Sequence, residues 1–244
     1  TDTVQNPIYV YSNSGTYWVC LTVTDTKGCI TTYCDSVTIN ALPTVIFNSN
    51  SPCQGYDMFL TDQTQNSVSW LWNIPYSSYI SNWINSDSSS QNPIFNFDSW
   101  CGDSLINLQV EDINGCINDT SIFVTVWCNP EAKIIPTNPV CQGSQRVFNG
   151  DNSDPGSIPI DSYYWEFGDP PINGTSNLSI AGYYYDTCFP NSYDVILTVS
   201  DTNGCTDMDT STAIVYCNPI TNFTTTNSKS CLGDTTRFSG LTNI

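Results

Sequence analysis

"LTVTDTKGC" (residues 21–29) recurs as "LQVEDINGC" (108–116) and again as "LTVSDTNGC" (197–205). In each copy apolar and polar residues alternate up to an Asp, and a short turn containing Gly leads to a Cys. Alternation with period two marks a half-buried β-strand. Asn114-Gly115 and Asn203-Gly204 supply the left-handed residues of a tight hairpin. Tyr17, Val19, Leu21 and Val23 share one strand face, as do Tyr193, Val195, Leu197 and Val199, so both faces are expected to point into a core.

The hairpin returns at a steady stride. Cys29, Cys116 and Cys205 lie 87 and 89 residues apart, Cys53, Cys141 and Cys231 lie 88 and 90 apart, and Cys128 to Cys217 is 89. "PCQG", "VCQG" and "SCLG" open the units, and "WCNP" and "YCNP" stand at the seams. Such self-similarity means an array. Complete units are expected at 42–129 and 130–217, with the second half of a unit at 1–41 and the first strands of another at 218–244. Helical periodicity is missing, and short strands in units of this length predict an all-β chain of two-sheet sandwiches.

Composition narrows the function. Twenty-three acidic residues face five basic ones, for a net charge of −18. Phosphate backbones and anionic lipid are repelled by such a chain, so nucleic acid is not an expected partner. No apolar run is long enough to span a bilayer, and membrane insertion is not expected. Ser, Thr and Asn fill 84 of 244 positions, which predicts a neutral, hydroxyl-rich surface. Twelve Cys without a single His point to disulfides and an extracellular or cell-surface location rather than to metal binding. The opening Thr and the two half-units read as a window cut from a longer secreted array.

"YYWEFGD" (163–169) followed by "NSYDVILTVSDTNGC" (191–205) resembles the polycystic kidney disease (PKD) domain, whose signature is a Trp-x-Phe-Gly-Asp core and a Gly-x-Tyr-x-Val-x-Leu-x-Val strand. "GTYWVCLTVTDTKGC" (15–29), preceded by "NPIYVY", is similar to the same strand. "WLWNIPYSSY" (70–79) departs from the pattern by replacing Phe-Gly-Asp. The resemblance implies tandem immunoglobulin-like sandwiches with Trp165 and Phe167 in the core. It also links the chain to arrays in large secreted surface proteins of gliding and biofilm-forming bacteria.

Partners across a hairpin have residue numbers of constant sum. Asp25 with Cys29 gives 54, as does Cys20 with Cys34; Asp112 with Cys116 gives 228, against 229 for Cys101 with Cys128; Asp201 with Cys205 gives 406, against 405 for Cys188 with Cys217. Cross-strand bridges Cys20–Cys34, Cys101–Cys128 and Cys188–Cys217 are expected. The remaining cysteines would pair as Cys53–Cys116 and Cys141–Cys205. Cys29 and Cys231 are left for bridges to another unit or chain.

Few residues suggest chemistry. Without His there is no Ser-His-Asp or Cys-His nucleophilic site. Glu166 and Asp169 form a carboxylate pair beside tyrosines, but both lie inside the PKD-like signature, so no enzyme is expected. No cofactor is expected either: Asp151, Asp154, Asp161, Asp207 and Asp209 offer calcium-type oxygens without the spacing of a calcium loop. Trp83, Tyr76, Tyr79, Tyr183 and Tyr184 are candidates for subunit packing or for stacking on glycans. Asn118, Asn173, Asn177 and Asn222 begin glycosylation sequons. These features predict a non-catalytic structural or adhesive array whose expected partners are like units, with half-units completed by neighbouring copies in a fibre. The alternatives are a glycan-binding module and an accessory region of a larger secreted hydrolase.

Overall fold

A computed structural model describes residues 2–75, 80–84, 86–226, 229 and 231–243. Among these residues every regular element is a β-strand, and no helix is long and apolar enough to cross a membrane. The chain divides into two compact units, Thr1–Trp127 and Cys128–Ile244.

In the first unit, β1 (Gly15–Thr24) and β2 (Ile30–Ile39) pair only with each other. The strands β3 (Phe47–Ser49), β4 (Asp57–Asp62), β5 (Ser67–Asn73), β6 (Ile80–Trp83), β7 (Ile94–Phe97), β8 (Gly102–Asp112) and β9 (Ile117–Val126) follow. They make a four-stranded sheet in the order β3-β4-β7-β6 and a three-stranded sheet in the order β5-β8-β9. Met58, Leu60, Trp72, Phe95, Phe97, Ile106, Leu108 and Val110 form its core.

The second unit contains β10 (Val140–Cys141), β11 (Gln145–Asn149), β12 (Ile160–Glu166), β13 (Thr175–Ser176), β14 (Ile180–Tyr184), β15 (Ser192–Asp201) and β16 (Thr206–Tyr216). Five of them form the sheet β10-β16-β15-β12-β13, and β11 pairs with β14. The strands β17 (Ile220–Thr225) and β18 (Phe238–Asn243) then form a hairpin of their own. Phe148, Trp165, Phe167, Tyr185, Val195, Leu197 and Val199 lie in the core.

The thrice-repeated turn closes on an Asp side chain. One carboxylate oxygen of Asp25 accepts from the N–H groups of Lys27 and Cys29, both at 2.8 Å. Asp112 does the same with Asn114 and Cys116 (2.8 and 2.9 Å), and Asp201 with Asn203 and Cys205 (2.8 and 2.9 Å). Gly28, Gly115 and Gly204 have φ of 87°, 77° and 83°, a region costly for other residues. The local motif therefore needs Asp first and Gly fourth, and the strands can pair only in the register that this turn sets.

The two cores solve one packing problem with different residues. Trp72 and Trp165 are both buried, and each indole N–H donates to a carbonyl, of Ser90 at 2.9 Å and of Leu178 at 2.8 Å. Ile74 fills the position of Phe167, which is how "WLWNIP" accommodates its departure from Trp-x-Phe-Gly-Asp. Gly168 has φ of 65°, and a Cβ there would run into the carbonyl oxygen of Asp194. Met58 on β4 corresponds to Arg146 on β11, and both are buried. The Arg146 guanidinium donates to the carbonyls of Thr137 (2.9 Å) and Ile214 (3.1 Å) and lies 5.4 Å from the Phe148 ring centroid. Burial holds its pKa below the usual arginine value, yet the group keeps its proton.

Arg146→Ala is expected to destabilise this unit by about 3 kcal/mol through a cavity and orphaned carbonyls. Arg146→Met, the residue of the sister repeat, should recover the volume part of that loss. Gly168→Ala should cost more than about 1 kcal/mol. Urea unfolding of the full chain followed by tryptophan fluorescence measures all three.

Candidate functional site

The terminal hairpins carry core residues without a core. Val19, Leu21 and Val23 on β1 are 50%, 62% and 50% exposed, whereas their counterparts Val195, Leu197 and Val199 on β15 are fully buried. On the other hairpin, Phe223 and Phe238 are 61% and 65% exposed; they occupy the positions of Ile134 and Phe148, which are 5% and 2% exposed. In the second unit these two groups of side chains belong to one cluster. Each terminal hairpin thus presents one half of the pattern that the cluster buries. Isolated exposed apolar residues are ordinary; here the exposed ones are aligned in one strand register.

Cysteine chemistry sits around the same features. Cys20 and Cys34 face each other across β1 and β2 and are bonded, with Cα atoms 4.0 Å apart. Cys188 and Cys217 are bonded with Cα atoms 5.0 Å apart. Cys53, Cys101, Cys128 and Cys205 are also in disulfides. Cys29, Cys116, Cys141 and Cys231 are free thiols, Cys116 half-buried and the other three exposed.

These states correct the expected Cys53–Cys116 and Cys141–Cys205 pairs, and the reason is strand length. Cys53 bridges to Trp127, just beyond β9, while Cys116 lies in the turn before β9. Ten strand residues separate the two ends, about 30 Å at 3.3 Å each. Cys141 pairs with Tyr216 at the end of β16, whereas Cys205 precedes that strand of 11 residues. A disulfide needs Cα atoms within about 7 Å, so neither pair can form inside its repeat.

The aromatic candidates part company. Trp83 is half-buried, with its ring 5.2 Å from Phe95. Tyr183 stacks on Phe167 at 4.4 Å, meets Tyr185 at 4.9 Å and donates its hydroxyl to Asp169 at 3.2 Å. Burial first, and Asp169 beside it second, push the Tyr183 phenol above its usual pKa. Both side chains therefore pack inside their repeats rather than forming an open platform. Tyr184 is exposed, and Tyr76 and Tyr79 lie outside the described residues.

Among the acids, Glu166 is exposed and Asp169 is buried under Tyr183. Asp207 and Asp209 accept from the N–H groups of Ala132 (2.8 Å) and Ile134 (2.7 Å), pinning the segment that leads into the repeat beside β16. That structural duty was not legible in the sequence. Among the described residues no cluster of His, Cys, Asp or Glu could hold a metal ion. Of the sequons, Asn173, Asn177 and Asn222 are exposed, whereas Asn118 is half-buried and its amide donates to the Pro43 carbonyl at 2.9 Å.

A family model of the PKD domain matches residues 127–216, so this repeat carries the PKD sequence signature. No curated protein matches the chain. Solved structures similar to it include carbohydrate-binding modules of the β-sandwich superfamily, at 25% identity and a TM-score of 0.32. That match covers 45% of this chain, which spans 52% of the other. Fibronectin(III)-like modules of CbhA from Clostridium thermocellum are 10% identical, covering 71% of this chain and 95% of theirs with a TM-score of 0.34. A Ca2+-stabilised adhesin with which an Antarctic bacterium binds ice is 12% identical, covering 86% and 59% with a TM-score of 0.38.

Two carboxylates titrate with folding. Hydrogen bonding from the Cys116 and Asn114 N–H groups outweighs burial and holds Asp112 below the ordinary 3.8. Burial opposes ionisation of Asp62, but donors from Thr64, Trp70 and Ser67 prevail and leave it lowered from the same value. Groups depressed in the folded state contribute stability above their unfolded pKa and lose it as pH falls through the folded value. The melting temperature is expected to hold near neutral pH and to fall once pH drops below about 4. Asp62→Asn combined with Asp112→Asn should flatten that fall, as read by circular dichroism melts.

Proposed function

We propose that this chain is a non-catalytic, extracellular structural repeat array, built of PKD-like units at 42–129 and 130–217, in which copies join by covering each other's terminal hairpins. The observation that carries this reading is the residue-for-residue match between exposed and buried faces. Val19, Leu21 and Val23 need the cover that Ile134 and Phe148 help to provide for Val195, Leu197 and Val199, and Phe223 and Phe238 stand at the covering positions. A heterologous contact of this kind leaves a complementary face free at each end, so it can propagate into a filament wherever its rotation does not close a ring. Disulfides suit an oxidising exterior, and the hydroxyl-rich surface offers Asn173, Asn177 and Asn222 for glycosylation.

Covering each apolar side chain gains about 1.5–3 kcal/mol. Five of them together give a gross gain comparable to the roughly 4–15 kcal/mol cost of losing rigid-body freedom. The face therefore specifies the partner while leaving the contact weak.

Light scattering after size exclusion should show concentration-dependent self-association of the full chain. Leu21→Asp and Phe238→Asp should each leave it monomeric while keeping the main thermal transition of the two repeats. A wild-type chain that stays monomeric at every concentration, or variants that associate like wild type, would overturn the proposal.

A further inference from the structure

The free thiols all belong to two recurring positions of the repeat. Three cysteines open the Cys-x-Gly motif, Cys53, Cys141 and Cys231; three follow the hairpin turn, Cys29, Cys116 and Cys205. Of the first class only Cys53 is oxidised, and of the second only Cys205. Cys188 and Cys217 are bonded to each other.

Each class also marks one end of its repeat. The motif cysteine lies at the trailing end: Cys53 beside Trp127, and Cys141 beside Tyr216. The hairpin cysteine lies at the leading end, since Cys205 directly precedes Asp207 and Asp209, which hold the incoming Ala132 and Ile134. In a series of repeats, a trailing end is followed by a leading end. Thiols of opposite class are then neighbours, and thiols of the same class are not.

Resting on the proposed association, we infer that the free thiols staple one copy to the next in a fixed register: Cys141 to Cys29 of the second copy, and Cys231 to Cys116 of the second copy. The order follows from the repeats alone. Joining β17–β18 of one copy to β1–β2 of the next makes a composite repeat. Its hairpin cysteine, the second copy's Cys29, faces the trailing Cys141 of the repeat before it. Its motif cysteine, Cys231, faces the leading Cys116 of the repeat after it. The four free thiols comprise two of each class, as this register requires. Neither hairpin brings a counterpart of β12, so the composite core is thinner than that of 130–217 and gains most from covalent closure.

Each bond forms by oxidation of two thiols. A low-molecular-weight disulfide takes the two electrons and two protons and leaves as two thiols, through a mixed disulfide.

The full chain, purified reduced at the four free thiols and then treated with oxidised glutathione, is expected to give a ladder of covalent multimers on non-reducing gels. Proteolysis and mass spectrometry should find Cys141 linked to Cys29 and Cys231 linked to Cys116, in multimers only. Cys141→Ser with Cys231→Ser should abolish the ladder, retain the thermal transition and leave light-scattering association of the reduced chain intact. Dominant links within one class, or from Cys217 to Cys29, would overturn the register. So would association without any covalent product, which leaves the proposed function standing. Absence of association in the reduced chain removes that function and this inference together.

Discussion

The whole structure depends on covering one strand face. On β15 the residues Val195, Leu197 and Val199 project to the same side because strand side chains alternate, and water is kept from them only by side chains on other strands. Trp165, on the neighbouring β12, and Phe148, on β11 of the other sheet, provide that cover. Remove the covering strands and the alternation persists, because the turn and the ladder are local. The β1–β2 hairpin is that case: its register is complete from Gly15–Ile39 to Thr24–Ile30, and its apolar face is open. Pairing and burial are therefore separable here, the first set by the turn and the second supplied by whatever lies opposite.

Because each repeat is small, its hydrophobic core leaves little surplus over chain entropy. Directional interactions make up part of the difference by fixing segments that have no sheet partner of their own. Asp207 and Asp209 hold the backbone at Ala132 and Ile134. Arg146 ties the Thr137 carbonyl to that of Ile214, which lies 68 residues beyond the arginine in sequence. A buried guanidinium in contact with carbonyls and an aromatic face, rather than with a carboxylate, does not depend on an acid's ionisation. Met58 shows that the same place can be filled without charge, so the arginine is one solution to anchoring the strand and not a requirement of the fold.

Local order was legible in the sequence, and distant order was not. Alternation together with the Asp-x-x-Gly-Cys spacing was enough to place the hairpins, and constant-sum arithmetic put Cys20 opposite Cys34 because both lie on one ladder. Repeat alignment identified Trp72 and Trp165 as core residues for the same reason: equal positions face equal neighbours. The arithmetic has no purchase on cysteines outside a shared hairpin. Pairing Cys53 with Cys116 treats membership of one repeat as proximity, whereas the length of β9 holds them at opposite ends. Along β14 and the residue after it the three tyrosines alternate, so Tyr183 and Tyr185 turn inward while Tyr184 faces out. Side-chain acceptors such as Asp207 leave no periodic trace, because their partners lie about 75 residues away in the chain.

A net charge of −18 sets the final constraint on how copies meet. Like-charged chains repel over about a Debye length, roughly 8 Å at physiological salt, and an interface carrying its own charges would add desolvation cost. The two terminal hairpins avoid this. β1 carries no charged residue, β2 carries only Asp35, and neither β17 nor β18 carries any. A contact made through them would be apolar and hydroxylic, so charge elsewhere on the surface would limit indiscriminate aggregation without opposing the proposed seam. On the proposed reading, a seam of modest area, opposed at longer range by charge, would stay reversible until something covalent closed it, and the free thiols Cys29, Cys116, Cys141 and Cys231 are the groups able to do so.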